Sequence, residues 1–301
     1  MSPASPAGGA DGRGNVLHGA LLMAAAAACY AILHGSVRYV SSQLHPFEIT
    51  FFRNLFGLIV LLPWFVMHGL EPLRTRRIGL HLLRATSNVV AMLMFFMALS
   101  MTPLAQVQAL GFTAPLFTTV LAIFILGERV RLRRWAALIA GFIGALIIVR
   151  PGLQPIDTGS LLTVASAAIW GITLITIKLL SRTDSAVTIT AYMVLLMSPL
   201  SLLPALFYWT WPSPEMWMWL VVCGVSGTIA QLLMAQSFRV ADATVVLPFD
   251  FTKIVWGALI GYLVFGEVVD IWTWIGAGVI FSGVTYITYR ERNLAASQSD
   301  R

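Results

Sequence analysis

The chain has 301 residues, 58% of them hydrophobic and only 11% charged, with a net charge of +6 and a mean hydropathy of +0.83. A soluble domain carries about 25% charged residues, so this composition excludes an ordinary cytosolic enzyme, a disordered protein and a secreted disulfide scaffold. The basic residues sit in short loops between apolar runs and form no basic face with interleaved aromatics, which excludes nucleic acid as a partner.

Apolar runs bounded by charge, proline or glycine predict ten spans, near 17–40, 46–68, 82–101, 104–126, 133–149, 157–180, 186–208, 216–238, 243–265 and 271–289. Most approach the roughly 20 residues that a 30 Å hydrocarbon core requires. Backbone groups in lipid need internal partners, so spans are helices or barrel strands, and these runs are too long and too evenly apolar for strands. The predicted class is an all-α polytopic membrane protein. Residues 1–16 read as a disordered N-terminal tail, 17–150 and 157–290 as two five-helix halves, and 291–301 as a C-terminal tail.

Polar groups inside a bilayer are costly and need a partner or water. Tyr30 and His34 of the first span are one turn apart on one face, suited to lining a cavity or to bonding between helices. Cys29 follows three alanines, but Ala26 stands where a lipoprotein cleavage site carries leucine, and the span reads as uncleaved. Cys223, the other cysteine, also lies in an apolar run, so no disulfide framework or cysteine zinc site is expected. In the second span Glu48 reads as interfacial and Arg53 as a deeper cation, lining a cavity or tying spans together.

Asn88, Gln106, Gln108 and Thr113 add hydrogen-bonding capacity to spans three and four. Gln108 and Thr113 are the stronger binding candidates, because Pro115 interrupts the backbone beside them. Ala137, Gly141 and Ala145 recur every four residues, as do Gly257 and Gly261, which suits close helix packing. Trp170, with Thr173 one turn on, is a mid-span pair that could recognise a substrate or simply pack. Thr228, Gln231 and Gln236 occupy span eight. In span nine Asp250 and Lys253 are three residues apart on one helical face, near mid-depth, with Pro248 removing a backbone donor just before them. They are expected to face each other, another helix or a wet cavity, with Asp250 accepting a proton or binding a cation.

Charge sets the expected orientation. With the N-terminus cytoplasmic, 14 of the 19 Lys and Arg fall on inner segments, Arg150 alone on the outer side, and Arg38, Arg53, Lys178 and Lys253 within spans. Both termini are therefore expected in the cytoplasm. Eight of the ten Trp lie near span ends, as in an interfacial belt, while Trp170 and Trp256 lie mid-span.

The halves also resemble each other. At an offset of 140, Tyr30 falls on Trp170 and Arg38 on Lys178. At an offset of 139, Phe112-Thr113 falls on Phe251-Thr252, Gly127-Glu128 on Gly266-Glu267, and Trp135 on Trp274. Five spans per half is an odd number, so the second half enters the membrane from the opposite side. This is an inverted 5+5 repeat, which places a substrate between the repeats near the midplane. Glu128 and Glu267, at the ends of spans four and nine, are expected to fix those ends structurally.

With these features the chain resembles the drug/metabolite transporter superfamily in its ten-helix, EamA-type form. The residues that carry the resemblance are Ala98-Leu99, Pro115 and Leu126-Gly127-Glu128-Arg129 with Gly141 and Gly144, then Phe265-Gly266-Glu267 with Gly276, Gly278 and Gly283. Arg53 also fits the pattern. The second half departs from it, with Ile254 where Pro115 would recur and Met193 where Arg53 would. The resemblance covers residues 17–290 and implies small-molecule transport across a bacterial-type inner membrane. Members of the superfamily handle amino acids, nucleoside-like metabolites, S-adenosylmethionine and riboflavin.

The expected function is secondary transport of a small organic metabolite by alternating access. The partners are that solute and the lipid bilayer, with proton coupling through Asp250. No P-loop, metal motif or catalytic constellation occurs, so neither a cofactor nor an enzyme is expected. The binding candidates are Tyr30, His34, Arg53, Gln108, Thr113, Trp170, Thr173, Asp250 and Lys253. Two rivals are weaker. Gly224-Val225-Ser226-Gly227 matches the GxSG of rhomboid-type intramembrane proteases, but no His follows Ser226 to activate it. A channel would need a ring of like charges or a repeated filter sequence, and neither occurs.

Overall fold

The structure, a computed structural model, describes residues 10–68, 75–126, 132–150, 157–184, 186–240 and 243–299. These residues form twelve α-helices: α1 Ala10–Val40, α2 Pro46–His68, α3 Ile78–Met101, α4 Leu104–Gly111, α5 Ala114–Leu126, α6 Leu132–Val149, α7 Thr158–Leu180, α8 Ala186–Ala205, α9 Pro214–Val240, α10 Ala243–Asp250, α11 Thr252–Phe265 and α12 Ile271–Ser299. Seven described helical stretches are long and apolar enough to cross a bilayer, among them α4 with α5. Residues 139–149 of α6 and 271–283 of α12 are shorter apolar helices. With the 23-residue α2 they complete the ten spans.

Three boundaries differ from expectation. Helix α1 already begins at Ala10, ahead of the apolar span Leu17–Val40, and residues 1–9 lie outside the described residues. Helix α12 runs through the expected C-terminal tail as far as Ser299. Spans four and nine are each broken into two helices, at residues 112–113 and at Phe251. The first break falls before Pro115, which sits in the opening turn of α5. There Phe112 and Thr113 return their N–H groups to Ala109 and Leu110.

The repeat is visible in the packing. Exchanging the halves turns the α1–α9 contact into α7–α3, α1–α11 into α7–α5, α1–α10 into α7–α4, and α2–α9 into α8–α3, and all of these contacts exist. The α2–α8 and α6–α12 pairs map onto themselves and are also packed. The relation is inverted. Arg38 at the end of α1, Thr102 after α3 and Asp157 before α7 share one end of the bundle, so α1 finishes where α7 starts. Residues Thr75, His81 and Asp184 meet at the other end.

Two apolar clusters hold the bundle. One joins α1, α2, α3, α8 and α9 through residues such as Leu33, Phe52, Leu99, Met197 and Leu220. The other joins α4, α5, α6, α11 and α12 through Leu110, Leu116, Ile148, Ile254 and Ile280. The α6–α12 seam is closed by glycine: a Cβ on Gly144 would lie 2.8 Å from the Gly276 carbonyl, and one on Gly276 2.5 Å from the Gly144 carbonyl. Gly141, of the expected small-residue stripe, instead gives room to Leu116. Large apolar side chains such as Phe124, Leu203 and Leu263 remain exposed on the outside, where lipid would cover them.

Candidate functional site

The helices leave a cavity where α1, α2, α3, α7, α8 and α9 converge. Its wall carries Tyr30, His34, Arg53, Asn88, Phe95, Phe96, Trp170 and Gln231, with Met92 and Met197. Tyr30 and His34, one turn apart on α1, stack with ring centroids 6.1 Å apart. His34 also meets Phe95 at 5.0 Å. These planar faces and flexible thioethers form a surface suited to a flat, weakly polar ligand.

Arg53 reaches this wall from α2. Its Nη1 donates to Asn54 Oδ1 at 3.0 Å, and its buried Nε has no acceptor. Asn54 in turn donates to Ser201 Oγ at 3.2 Å. The guanidinium lies against α9 because residue 227 is glycine: a Cβ there would stand 3.2 Å from Nε and Nη2. Among the described residues no carboxylate lines the cavity. A second, smaller pocket adjoins it and shares Arg53, Gln231 and Met197 with it.

Of the nine candidate residues, Tyr30, His34, Arg53 and Trp170 line the cavity. Gln108 stands behind His34, with Nε2 and Nδ1 3.5 Å apart. It fits there because residue 257 is glycine, whose Cβ would otherwise lie 2.1 Å from Gln108 Oε1. Asp250 and Lys253 face each other as expected, with Nζ 3.0 Å from each carboxylate oxygen. The ammonium also lies over the rings of Tyr30 and Phe112, at 5.0 and 4.9 Å. This pair therefore sits where the broken span nine meets the cavity wall. Phe112 and Phe251, the equivalent residues of the two breaks, stack on each other at 3.9 Å.

The two threonines fall elsewhere. Thr113 is fully buried and its hydroxyl donates to the Leu110 carbonyl across the helix break. Thr173 bonds Ser87 Oγ at 2.9 Å, joining α3 to α7. Neither lines the cavity. Conversely, Asn88 and Gln231, which are not among the nine candidates, line it, and Asn88 Oδ1 is buried without a donor. Their polarity inside a span was the available signal.

Each end of the bundle carries a polar cluster. At the first, Gly266 adopts φ +66° and caps α11, with its N–H on Tyr262 and that of Glu267 on Gly261. Only glycine takes this left-handed turn cheaply, and it aims Glu267 back at the bundle. The carboxylate pairs with Arg38 and accepts the Leu104 N–H at 2.9 Å, while Arg38 donates to the carbonyls of Leu99 and Thr102. Glu128, the equivalent of Glu267, lies outside the described residues. Glu48, also at this end, is buried, and the backbone N–H and hydroxyl of Thr210 bond its carboxylate. Asp157 caps α7 and takes the Thr102 hydroxyl. Burial opposes its charge, but the donors from Thr102, Ser160 and Gly159 outweigh that and hold it below the usual carboxylate range.

At the opposite end Asp184 accepts from Thr75 Oγ1 at 2.6 Å and lies 2.7 Å from His81 Nε2. The Thr75 hydrogen bond is the main reason its carboxyl is held below the usual range. Ser226 donates to the Val222 carbonyl of its own helix. Among the described residues no group of three or more His, Cys, Asp or Glu is placed to hold a metal ion.

The EamA-like transporter family matches residues 17–150 and 157–289. A riboflavin transporter of Vibrio cholerae is 37% identical over 291 residues, covering 93% of this chain and 98% of its own length. An S-adenosylmethionine uptake transporter of Rickettsia prowazekii is 30% identical over 263 residues, 87% of this chain and 90% of its own. A riboflavin transporter of Brucella anthropi is 30% identical over 275 residues, 88% and 96%. A protein crystal structure matches 94% of this chain and 99% of its own with a TM-score of 0.61 at 18% identity, a likeness of fold alone.

Proposed function

The chain belongs to the EamA-like transporter family, and from that premise we propose that it carries a neutral planar heterocycle of the flavin class by alternating access. Membership makes it a multi-pass membrane transporter and not an enzyme. The substrate rests on one observation: an aromatic-walled cavity whose cation, Arg53, meets no carboxylate in the wall. Tyr30, His34, Phe95 and Trp170 offer ring faces, and Asn88 Oδ1 and Arg53 Nε offer an unused acceptor and an unused donor to heteroatoms.

The same charge argues against S-adenosylmethionine, the substrate that other relatives are named for. That solute carries a sulfonium, and a like charge about 5 Å from an unpaired guanidinium costs on the order of 3 kcal/mol at an effective dielectric of 20. The Asp250–Lys253 pair is self-neutralised and adds no compensating negative charge.

In this reading the halves rock about the Phe112–Phe251 stack, and the Arg38–Glu267 cluster closes the bundle at its own end. Asp250, beside the break in span nine, exchanges the coupling proton. The distribution of Arg residues supports cytoplasmic termini in a bacterial inner membrane, with Arg38 and Glu267 toward the outside.

Purified protein in liposomes, with a pH gradient of either sign, tests the proposal. Saturable uptake of labelled riboflavin, not competed by S-adenosylmethionine, is the expected result. Uptake of S-adenosylmethionine with none of riboflavin would overturn it.

A further inference from the structure

The two adjoining pockets differ in kind. The larger has the rings of Tyr30, His34, Phe95, Phe96 and Trp170 in its wall. The smaller, between α2, α8 and α9, has no ring at all: its polar groups are Arg53, Asn54, Thr228 and Gln231. Arg53 and Gln231 stand in both walls and so form the threshold between them.

Space for the smaller pocket depends on absent side chains. A Cβ on Gly57 would lie 3.2 Å from Thr228 Oγ1, and a Cβ on Gly227 3.2 Å from the Arg53 guanidinium. The polar groups there are under-used. A guanidinium has five N–H donors, and here one bond is made, to Asn54, while Nε is buried without an acceptor. The Thr228 hydroxyl donates to the Gly224 carbonyl at 2.8 Å, which leaves its lone pairs facing the pocket as acceptors. Donors of Arg53 and acceptors of Thr228 together suit groups that both give and take hydrogen bonds, which is the chemistry of hydroxyls.

We infer that the two pockets are one bipartite site, in which the aromatic cavity takes a heterocycle and the Arg53–Thr228 pocket takes a hydroxylated tail attached to it. Arg53 at the threshold is then a specificity-determining residue. It accepts a neutral polyol tail and refuses a cationic one, since among the described residues no carboxylate lines either pocket. The inference rests on the flavin reading and assigns the two parts of such a solute to different residues.

The test compares three compounds with one ring system in competition for uptake into liposomes: riboflavin, lumiflavin (a methyl in place of the ribityl chain) and a flavin with an ammonium-terminated alkyl chain. Wild-type protein should prefer riboflavin over lumiflavin by about tenfold or more, the worth of one or two well-made hydrogen bonds, and bind the ammonium compound more weakly than lumiflavin. In Arg53→Met the riboflavin advantage over lumiflavin should collapse, and the ammonium compound should improve relative to lumiflavin. Thr228→Val is the milder second variant, because the hydroxyl bonds only its own helix. It should weaken riboflavin several-fold, as for one lost hydrogen bond, and leave lumiflavin unchanged. Equal affinity of wild type for riboflavin and lumiflavin, or equal weakening of both by Thr228→Val, would overturn the bipartite site while leaving the flavin reading intact. Failure of all three ring compounds to compete would instead remove the flavin reading, and the inference with it.

Discussion

Replacing Glu267 by Gln separates a lock from a brace. Glu267 belongs to the second half of the chain and Arg38 to the first, so their contact crosses the surface along which the halves must part. The substitution keeps the shape and removes the charge. Arg38 is not stranded, because its Nη1 still donates to the carbonyls of Leu99 at 2.7 Å and Thr102 at 2.8 Å. The loss is therefore one charge-assisted contact between side chains that are 20% and 11% exposed, worth about 1.5–3 kcal/mol. If the contact exists only while this end is closed, the closed state alone loses that energy, and the open-to-closed ratio rises roughly 10- to 150-fold. The assay uses a variant with both native cysteines replaced and a single cysteine at position 34 in the cavity wall. An impermeant maleimide applied to the outer face of intact cells should label that cysteine faster in the Glu267→Gln background by a comparable factor. A lower melting temperature with an unchanged labelling rate would refute the reasoning and leave Glu267 a brace for α4.

Asp250→Asn or Lys253→Met alone strands a half-buried charge and should destabilise the protein by about 3–5 kcal/mol. The double replacement should recover the melting temperature but not riboflavin uptake, and near-normal, still pH-dependent uptake by it would show that the pair only packs. Asp184 has a folded-state pKa below its unfolded value, so its contribution is complete above about pH 4–5 and is lost as pH falls through the folded value. Melting in detergent should show that acid-side loss, and Asp184→Asn should abolish it. In Gly144→Val the new side chain meets the backbone of Gly276 and Ile280 at under 3 Å, so overpacking should cost about 1–3 kcal/mol or more, read as a lower melting temperature. Reporter fusions at Arg301 and near residues 74–77 should report cytoplasm, and fusions near Asp157 and Pro212 the outer side; the reverse pattern would overturn the charge-based orientation.

The fold was legible because a bilayer imposes a length and a composition on every span. What composition does not encode is where a helix breaks. Pro115, Pro248 and the repeated Phe-Thr dipeptide lie near the breaks at residues 112–113 and 251, but a proline near a break does not fix the residue at which the helix ends. Hydroxyls misled for a related reason. A threonine in a helix has a carbonyl of its own turn in reach, as at Thr113, or a neighbour's hydroxyl, as Thr173 finds in Ser87, so intramembrane polarity alone does not mean a binding role. The Glu48–Thr210 contact is not readable from sequence, because the partners are 162 residues apart. The Asp250–Lys253 contact was readable because helix geometry alone brings i and i+3 together.

The repeat itself separates scaffold from site. Where the halves agree, the shared residues hold structure: Phe112 and Phe251 stack on each other, Ser87 bonds Thr173 while its counterpart Ser226 bonds its own helix, and Gly266-Glu267 caps a span. Where they disagree, the odd residue faces the cavity. Arg53 has Met193 as its counterpart, His34 has Leu174, Asn88 has Gly227, and Gln231 has Met92. Lys253 and Asp250 fall opposite Ala114 and Gly111. A cavity on a pseudo-twofold axis would otherwise present every polar group twice, and two unpaired arginines beside one ligand would repel each other. Breaking the repeat at these positions leaves Arg53 as the one guanidinium among the described residues lining the two pockets, with Gly227, its neighbour across α9, making the room it occupies, while the buried Arg84 guanidinium lies behind Met193, 3.2 Å from its Sδ. Placing a second arginine at Met193, which also lines the smaller pocket, should therefore abolish riboflavin uptake even if the protein inserts and folds. Unimpaired uptake by Met193→Arg would show that the asymmetry of the two halves has nothing to do with the ligand.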